Sequence, residues 1–238
     1  MKTQAVDYQH DNTALEGYLA YDDSRRDKLP GVLIIPDFVG VNAFTKKRSE
    51  MIAELGYVGF VADVYGKSVR PTSHQEALQE ARNYRSNRPL LRARLAAGLD
   101  VFRRSPVVDK SRIAVIGYCF GGMAALELAR TGANVLGTVC FHGNLDTPNP
   151  EDAKNIKGAI LILNGAADPM IPADTITAFE KEMTDAKVDW QFVNYGGALH
   201  GYTAWDAVTD LQKGVGYDKT ADRRSWIAMQ EFLKEVLA

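Results

Sequence analysis

Three short glycine-containing stretches carry the residue types of nucleophilic catalysis: Gly117-Tyr118-Cys119-Phe120-Gly121-Gly122, Asn164-Gly165-Ala166-Ala167-Asp168-Pro169 and Gly196-Gly197-Ala198-Leu199-His200-Gly201. A thiol, a carboxylate and an imidazole together make an activated nucleophile, in which the imidazole takes the proton of the thiol and the carboxylate orients the imidazole. Each stretch also has a bland reading: an inert thiol in a glycine-rich turn, a turn aspartate before proline, a loop histidine. The three together, in the order nucleophile, acid, base, are much less readily a coincidence than any one alone.

The surroundings of Cys119 favour reactivity. The apolar run Ile113-Ala114-Val115-Ile116 precedes it and the helical pattern Met123-Ala124-Ala125-Leu126-Glu127-Leu128-Ala129 follows, so the cysteine stands at a strand-to-helix corner. Gly117 and Gly121 lack the side chains that would collide at so tight a turn. A helix N-terminus favours a thiolate, the form of cysteine that attacks electrophiles. Cys140, by contrast, lies inside the run Leu136-Gly137-Thr138-Val139-Cys140-Phe141 and reads as a small buried hydrophobe. Two cysteines so placed suggest neither a structural disulfide nor a zinc site, and no metal is expected.

Attack on a carbonyl also needs two backbone donors for the developing oxyanion, one directly after the nucleophile and one in the loop after an earlier strand. Phe120 and Phe38 are the candidates, the latter in Pro36-Asp37-Phe38-Val39-Gly40. His142 and Tyr202 are candidates to line the pocket. His142 comes too early in chain order to be the base, His10 falls in a hairpin turn, and His74 in Thr72-Ser73-His74 suits an exposed cap.

The elements that must position these residues follow from apolar periodicity. Residues 3–21 read as a hairpin around His10-Asp11-Asn12-Thr13, and strands are expected at 31–35, 57–62, 112–116, 135–141, 159–163 and 190–195. Helical spacing marks Phe44 to Leu55, 75–104 with an interruption at Pro89, 121–131, Ile176 to Met183 and Trp226 to Val236. The arginines at 82, 85, 88, 92 and 94 are expected on a solvated helix face. Strands alternating with helices imply a mostly parallel α/β sheet covered by helices on both faces, with the site at the carboxyl ends of the strands. One domain, 1–238, is expected.

With 28 lysines and arginines against 30 aspartates and glutamates, the net charge of −2 gives no reason to expect nucleic acid or a membrane surface as partner. The amino terminus has no signal-peptide pattern and no segment approaches a membrane span, so a cytoplasmic protein is expected, a monomer or homodimer acting on a small molecule.

Four stretches, GYCFGG, GAADPMIP, GALHGYT and PDFVGVNAF, resemble the dienelactone hydrolase family and together reach from residue 31 onward through most of the chain. The resemblance implies an α/β hydrolase with a Cys119-Asp168-His200 triad and no cofactor, cleaving esters or lactones through a covalent intermediate. It also gives Asp37 the role of tuning the resting thiol, although the best-known members carry glutamate there. Members that cleave dienelactone hold the substrate carboxylate with arginines, one of them four residues after the histidine. Ala204 occupies that place here, so small, mainly uncharged substrates are expected. Two alternatives remain: a promiscuous phosphotriester and aryl ester hydrolase using the same three residues, and a non-catalytic small-molecule binding protein on the same fold. In glutaminase-type proteins, which also set cysteine at an elbow, a glutamate follows the histidine by two residues, where this chain has Tyr202.

Overall fold

The computed structural model describes residues 1–205 and 209–238. Its strands are β1 (Lys2–His10), β2 (Thr13–Tyr21), β3 (Leu29–Ile35), β4 (Val58–Val61), β5 (Val108–Tyr118), β6 (Gly137–Phe141), β7 (Ala159–Gly165) and β8 (Trp190–Tyr195). The helices are α1 (Ala43–Glu54), α2 (His74–Ser86), α3 (Arg88–Arg104), α4 (Phe120–Arg130), α5 (Ala173–Asp185) and α6 (Lys219–Val236), with a 3₁₀ turn at Pro150–Asn155. The strands form an eight-stranded sheet in the order β1-β2-β4-β3-β5-β6-β7-β8. β1 and β2 pair antiparallel from Lys2 opposite Tyr21 to His10 opposite Thr13, and β2 pairs antiparallel with β4. β3 with β4, β6 with β7 and β7 with β8 are parallel. Among the described residues, no helix is long and apolar enough to cross a membrane.

By internal packing the chain divides into two compact units, Met1–Val115 and Ile116–Ala238. In the first, Val32, Leu33, Ile34 and Ile35 of β3 are wholly buried, as a strand of β-branched and leucine side chains covered on both faces requires. Gly31 leaves room for Phe102 of α3, whose ring stacks on Phe60 of β4 at 5.3 Å. Directly after β4, the buried carboxylate of Asp63 accepts the amides of Glu16, Tyr65 and Gly66 at 3.0–3.1 Å and pairs with Arg70 at 3.1 Å. A charge so buried is tolerable because each lone-pair direction meets a donor.

The helical stretch from 74 to 104 breaks one residue before Arg88. The side chain of Asn87 caps α3 by accepting the Leu90 amide, and Pro89 fits the first turn, where its missing N–H costs nothing. Two expectations are corrected in this unit. The arginines do not share one solvated face: Arg82 and Arg85 are exposed, but Arg88 and Arg94 are buried. Arg94 reaches the hydroxyl of Thr13 at 2.7 Å, a partner 81 residues away that helical periodicity cannot reveal. Nor is His74 the cap of α2. Ser73 is, accepting the Glu76 amide, while the His74 ring packs edge-on against Phe38 at 5.2 Å.

In the second unit every residue of α4 is buried. Close packing against β6 depends on Gly122, where a side chain would meet the Cys140 sulfur and Gly143. Arg130 at the end of α4 is wholly buried and forms a two-pronged pair with Glu182 of α5, both contacts 2.8 Å, with Glu127 at 3.2 Å and the Leu145 carbonyl at 3.1 Å. The planar guanidinium fork suits this arrangement of acceptors and fastens α4 to α5.

Candidate active site

Cys119 lies between the end of β5 and the start of α4, with φ 55° and ψ −116°. A non-glycine residue with positive φ carries backbone strain, of the kind held at functional sites by the surrounding structure. Here the restraint is visible. The Cys119 amide donates to the Phe141 carbonyl at the end of β6 at 3.0 Å, and the Cys119 carbonyl accepts the amides of Gly122 and Met123 at 3.0 and 3.3 Å. Gly117 is obligatory, because any Cβ there would collide with the backbone carbonyl of Gly121. The Cys119 side chain makes no helix-capping bond. Its sulfur, partly exposed, lies 3.0 Å from His200 Nε2.

His200 follows β8 in a loop made possible by Gly197 and Gly201, which adopt φ of 77° and 69°. The loop is fixed at its centre: the His200 amide donates to the Gly214 carbonyl at 2.9 Å, and the Gly216 amide to the His200 carbonyl at 3.1 Å. The imidazole is almost fully buried, and its Nδ1 lies 2.7 Å from Asp168 Oδ2. Asp168, also buried, sits in the turn after β7 and uses its other oxygen to accept the Met170 amide at 2.8 Å. The Asp168 and His200 loops are tied directly, Ala166 donating to the Tyr195 carbonyl and Ala167 to the Ala198 carbonyl, both at 2.9 Å.

Sulfur, imidazole and carboxylate therefore form one unbroken line of hydrogen-bond distances. Burial alone pulls the His200 imidazole down, but the charge of Cys119 and the hydrogen-bonded carboxylate of Asp168 outweigh it, and the imidazole is pushed up to about 10. The other thiol is different: burial pushes Cys140 up to about 12, which leaves it protonated and inert at neutral pH.

The remaining expected residues fall in three places. Phe120 opens α4 next to the cysteine. Asp37 and Phe38 belong to the loop after β3, where Asp37 Oδ1 accepts the Val39 amide at 2.9 Å and the Asn42 side-chain amide at 3.1 Å, and the Phe38 carbonyl accepts the Tyr65 hydroxyl at 2.9 Å. His142 and Tyr202 are 3% and 0% exposed; the His142 ring meets the His200 ring edge-on at 5.4 Å, and the Tyr202 ring meets that of His142 at 5.1 Å. Burial holds the Tyr202 hydroxyl well above the usual tyrosine range, and that hydroxyl donates to the Leu163 carbonyl at 3.0 Å. Thr203 was not singled out from the sequence. Its hydroxyl lies 2.8 Å from His142 Nε2, a pairing across 61 residues that no periodic pattern signals.

Comparison with known proteins places the chain in a family. The model of the dienelactone hydrolase family matches residues 15–237. A dienelactone hydrolase-like promiscuous phosphotriesterase from metagenomic libraries is 35% identical, with a TM-score of 0.95 over 100% of this chain and 99% of its own. A Bradyrhizobium protein named as a probable 2-oxo-3-(5-oxofuran-2-ylidene)propanoate lactonase is 27% identical over 213 residues, 84% of this chain and 85% of its own. An uncharacterized Caenorhabditis elegans protein is 35% identical over 151 residues, 62% of this chain and 95% of its own. The eight-stranded, mostly parallel sheet with its helices is thus of the α/β-hydrolase type.

Proposed function

Because the chain belongs to the dienelactone hydrolase family, we propose that it is a cysteine-nucleophile hydrolase of ester or lactone bonds in small, mainly uncharged substrates. The observation that carries the reading is the line from Cys119 Sγ through His200 to Asp168, with links of 3.0 and 2.7 Å. In this reading His200 takes the thiol proton at Nε2, and the sulfur attacks the carbonyl carbon. The Phe120 amide supports the oxyanion. As the tetrahedral species collapses, the carbon–oxygen bond to the leaving group breaks and His200 Nε2 returns its proton to the departing oxygen, leaving a thioester on Cys119. Water then attacks the thioester with His200 as base, the carbon–sulfur bond breaks, and the acid and the free thiol are released. Asp168 keeps Nδ1 protonated and the ring in register throughout.

A second reading uses the same residues on phosphorus. It is favoured by the full-length likeness, at 35% identity, to a protein described as a promiscuous phosphotriesterase. A neutral phosphotriester suits a site whose position 204 is alanine.

The test is a hydrolysis screen over aryl esters, lactones and phosphotriesters with Cys119→Ala as control, together with intact-mass analysis during turnover of a slow ester. Loss of turnover in the variant and an acyl adduct on Cys119 of the parent are expected. Parent-like turnover by Cys119→Ala would overturn the mechanism.

A further inference from the structure

His142 is more than filler behind the base. It follows β6 with φ 38°, in the left-handed region that few non-glycine residues adopt. Its ring is held on several sides. Nε2 lies 2.8 Å from the Thr203 hydroxyl, the ring meets the His200 ring edge-to-face at 5.4 Å and 72°, and it meets Tyr202 similarly at 5.1 Å and 75°. The ring is thus locked to the residue at 200 and to the two residues at 202 and 203 in the same loop.

The backbone beneath makes this lock a spacer. The Phe141 carbonyl accepts the amide of Cys119, and the next residue, His142, donates its own amide to the Leu163 carbonyl at 2.9 Å. That same carbonyl accepts the Tyr202 hydroxyl at 3.0 Å. Two consecutive residues at the end of β6 therefore hold the backbone of the thiol residue on one side and the ring of the imidazole residue on the other.

We propose that His142, locked by Thr203, is a positioning residue that sets the separation between Cys119 and His200 and keeps the His200 ring between the thiol and Asp168. The inference rests on the reading of Cys119, His200 and Asp168 given above and deepens it. His142 takes no proton from the substrate. It acts through His200, and its loss leaves binding in place while degrading the alignment needed for proton transfer. Misplacement by about an ångström in such a line costs roughly 100-fold in rate.

Two single variants separate the parts of the device. His142→Asn tolerates the backbone conformation but removes the ring. Thr203→Val keeps the shape of the threonine and removes the hydroxyl that locks the ring. The readouts are kcat and KM on a neutral aryl ester, thermal unfolding, and the low-field proton resonance of His200 Nδ1–H in its bond to Asp168. His142→Asn is expected to lower kcat by roughly 10- to 100-fold with KM within about twofold, and to broaden the low-field resonance through faster exchange with water. Thr203→Val should move both readouts the same way by less. Combining Thr203→Val with His142→Asn should add little, since both remove one contact chain.

If both folded variants keep the parent kcat and the parent resonance, the proposal is overturned. A purely structural role would lower the unfolding temperature without moving the resonance of the folded protein, and would overturn it as well. The resonance is read without turnover, so it tests His142 even if Cys119→Ala were found active and the nucleophile assignment failed.

Discussion

Asp168 divides its carboxylate between two jobs: Oδ2 lies 2.7 Å from His200 Nδ1, while Oδ1 accepts the Met170 amide at 2.8 Å and pins the turn that presents it. Replacing it by asparagine keeps the size of the side chain and can keep the Met170 bond, but removes the charge that stabilises a protonated imidazole. Turnover should fall by roughly 10²- to 10⁴-fold, the range of a positioned acid–base group. The sign of the pH effect is also determined. Asp168 and Cys119 both raise His200, against the downward pull of burial, to about 10. In Asp168→Asn the imidazole should therefore lose its proton at lower pH than in the parent, and in Cys119→Ala likewise. Nitrogen-15 chemical shifts of the His200 ring across pH 5–11 check this, and a titration unchanged in both variants would contradict the proposed electrostatics.

The two thiols should part company under alkylation. Cys119 is partly exposed and 3.0 Å from an imidazole, whereas Cys140 is wholly buried and pushed up to about 12. Iodoacetamide at pH 7 should label one site per chain, and peptide mapping should place it at Cys119. Cys119→Ala should then take up no label under the same conditions. Labelling that persists in that variant would place the reactive thiol at Cys140.

Stability around α4 should depend on Arg130. Its guanidinium is the shared partner of Glu127 and Glu182, whose side chains are 0% and 6% exposed. Arg130→Met fills much of the same volume but leaves two buried carboxylates without their cation, a change that costs about 3–5 kcal/mol in comparable buried networks. A triple variant, with Glu127→Gln and Glu182→Gln added, should recover part of the loss because no buried charge is then left uncompensated. Urea unfolding of the two variants gives the comparison. An Arg130→Met protein as stable as the parent would show that the carboxylates find other partners or take up protons at little cost.

The strands of the core were legible because β3, β6 and β7 are short apolar runs between turn residues, and the residues around His10 to Thr13 punctuate the first hairpin. Pro89 marked the break between α2 and α3 for a reason the structure repeats, since Asn87 caps the new helix two residues earlier. The length of β5 was not legible. Asp109, Lys110 and Ser111 are polar residues inside a strand that runs from Val108 to Tyr118, and only its 112–116 segment has the apolar signature. Cys119, Asp168 and His200 could be picked out because each follows a strand in a fixed chain order. Their separations of 3.0 and 2.7 Å are tertiary facts, set by the ties among the Phe141, Tyr195, Ala198 and Gly214 carbonyls. The partners of Arg94 and His142 lie 81 and 61 residues away, and no local pattern encodes them.

Substrate charge should separate this protein from family members that hold a carboxylate with arginine. Position 204, four residues after His200, is an alanine whose amide closes a turn on the Gly201 carbonyl at 2.9 Å. Its methyl group has no charge with which to grip an anion, and an arginine–carboxylate pair depends on the two-pronged geometry that only a guanidinium supplies. Truncating one partner of a buried charge pair costs about 2–5 kcal/mol, and each 1.4 kcal/mol is about tenfold. A neutral aryl ester should therefore exceed its carboxylate-bearing analogue, with the same leaving group, by at least about tenfold in kcat/KM. Ala204→Arg should narrow or reverse that ratio, chiefly through the anionic substrate. If the parent already cleaves the anionic analogue faster, a cation from elsewhere in the chain supplies the grip, and a carboxylate-bearing lactone becomes the substrate to pursue.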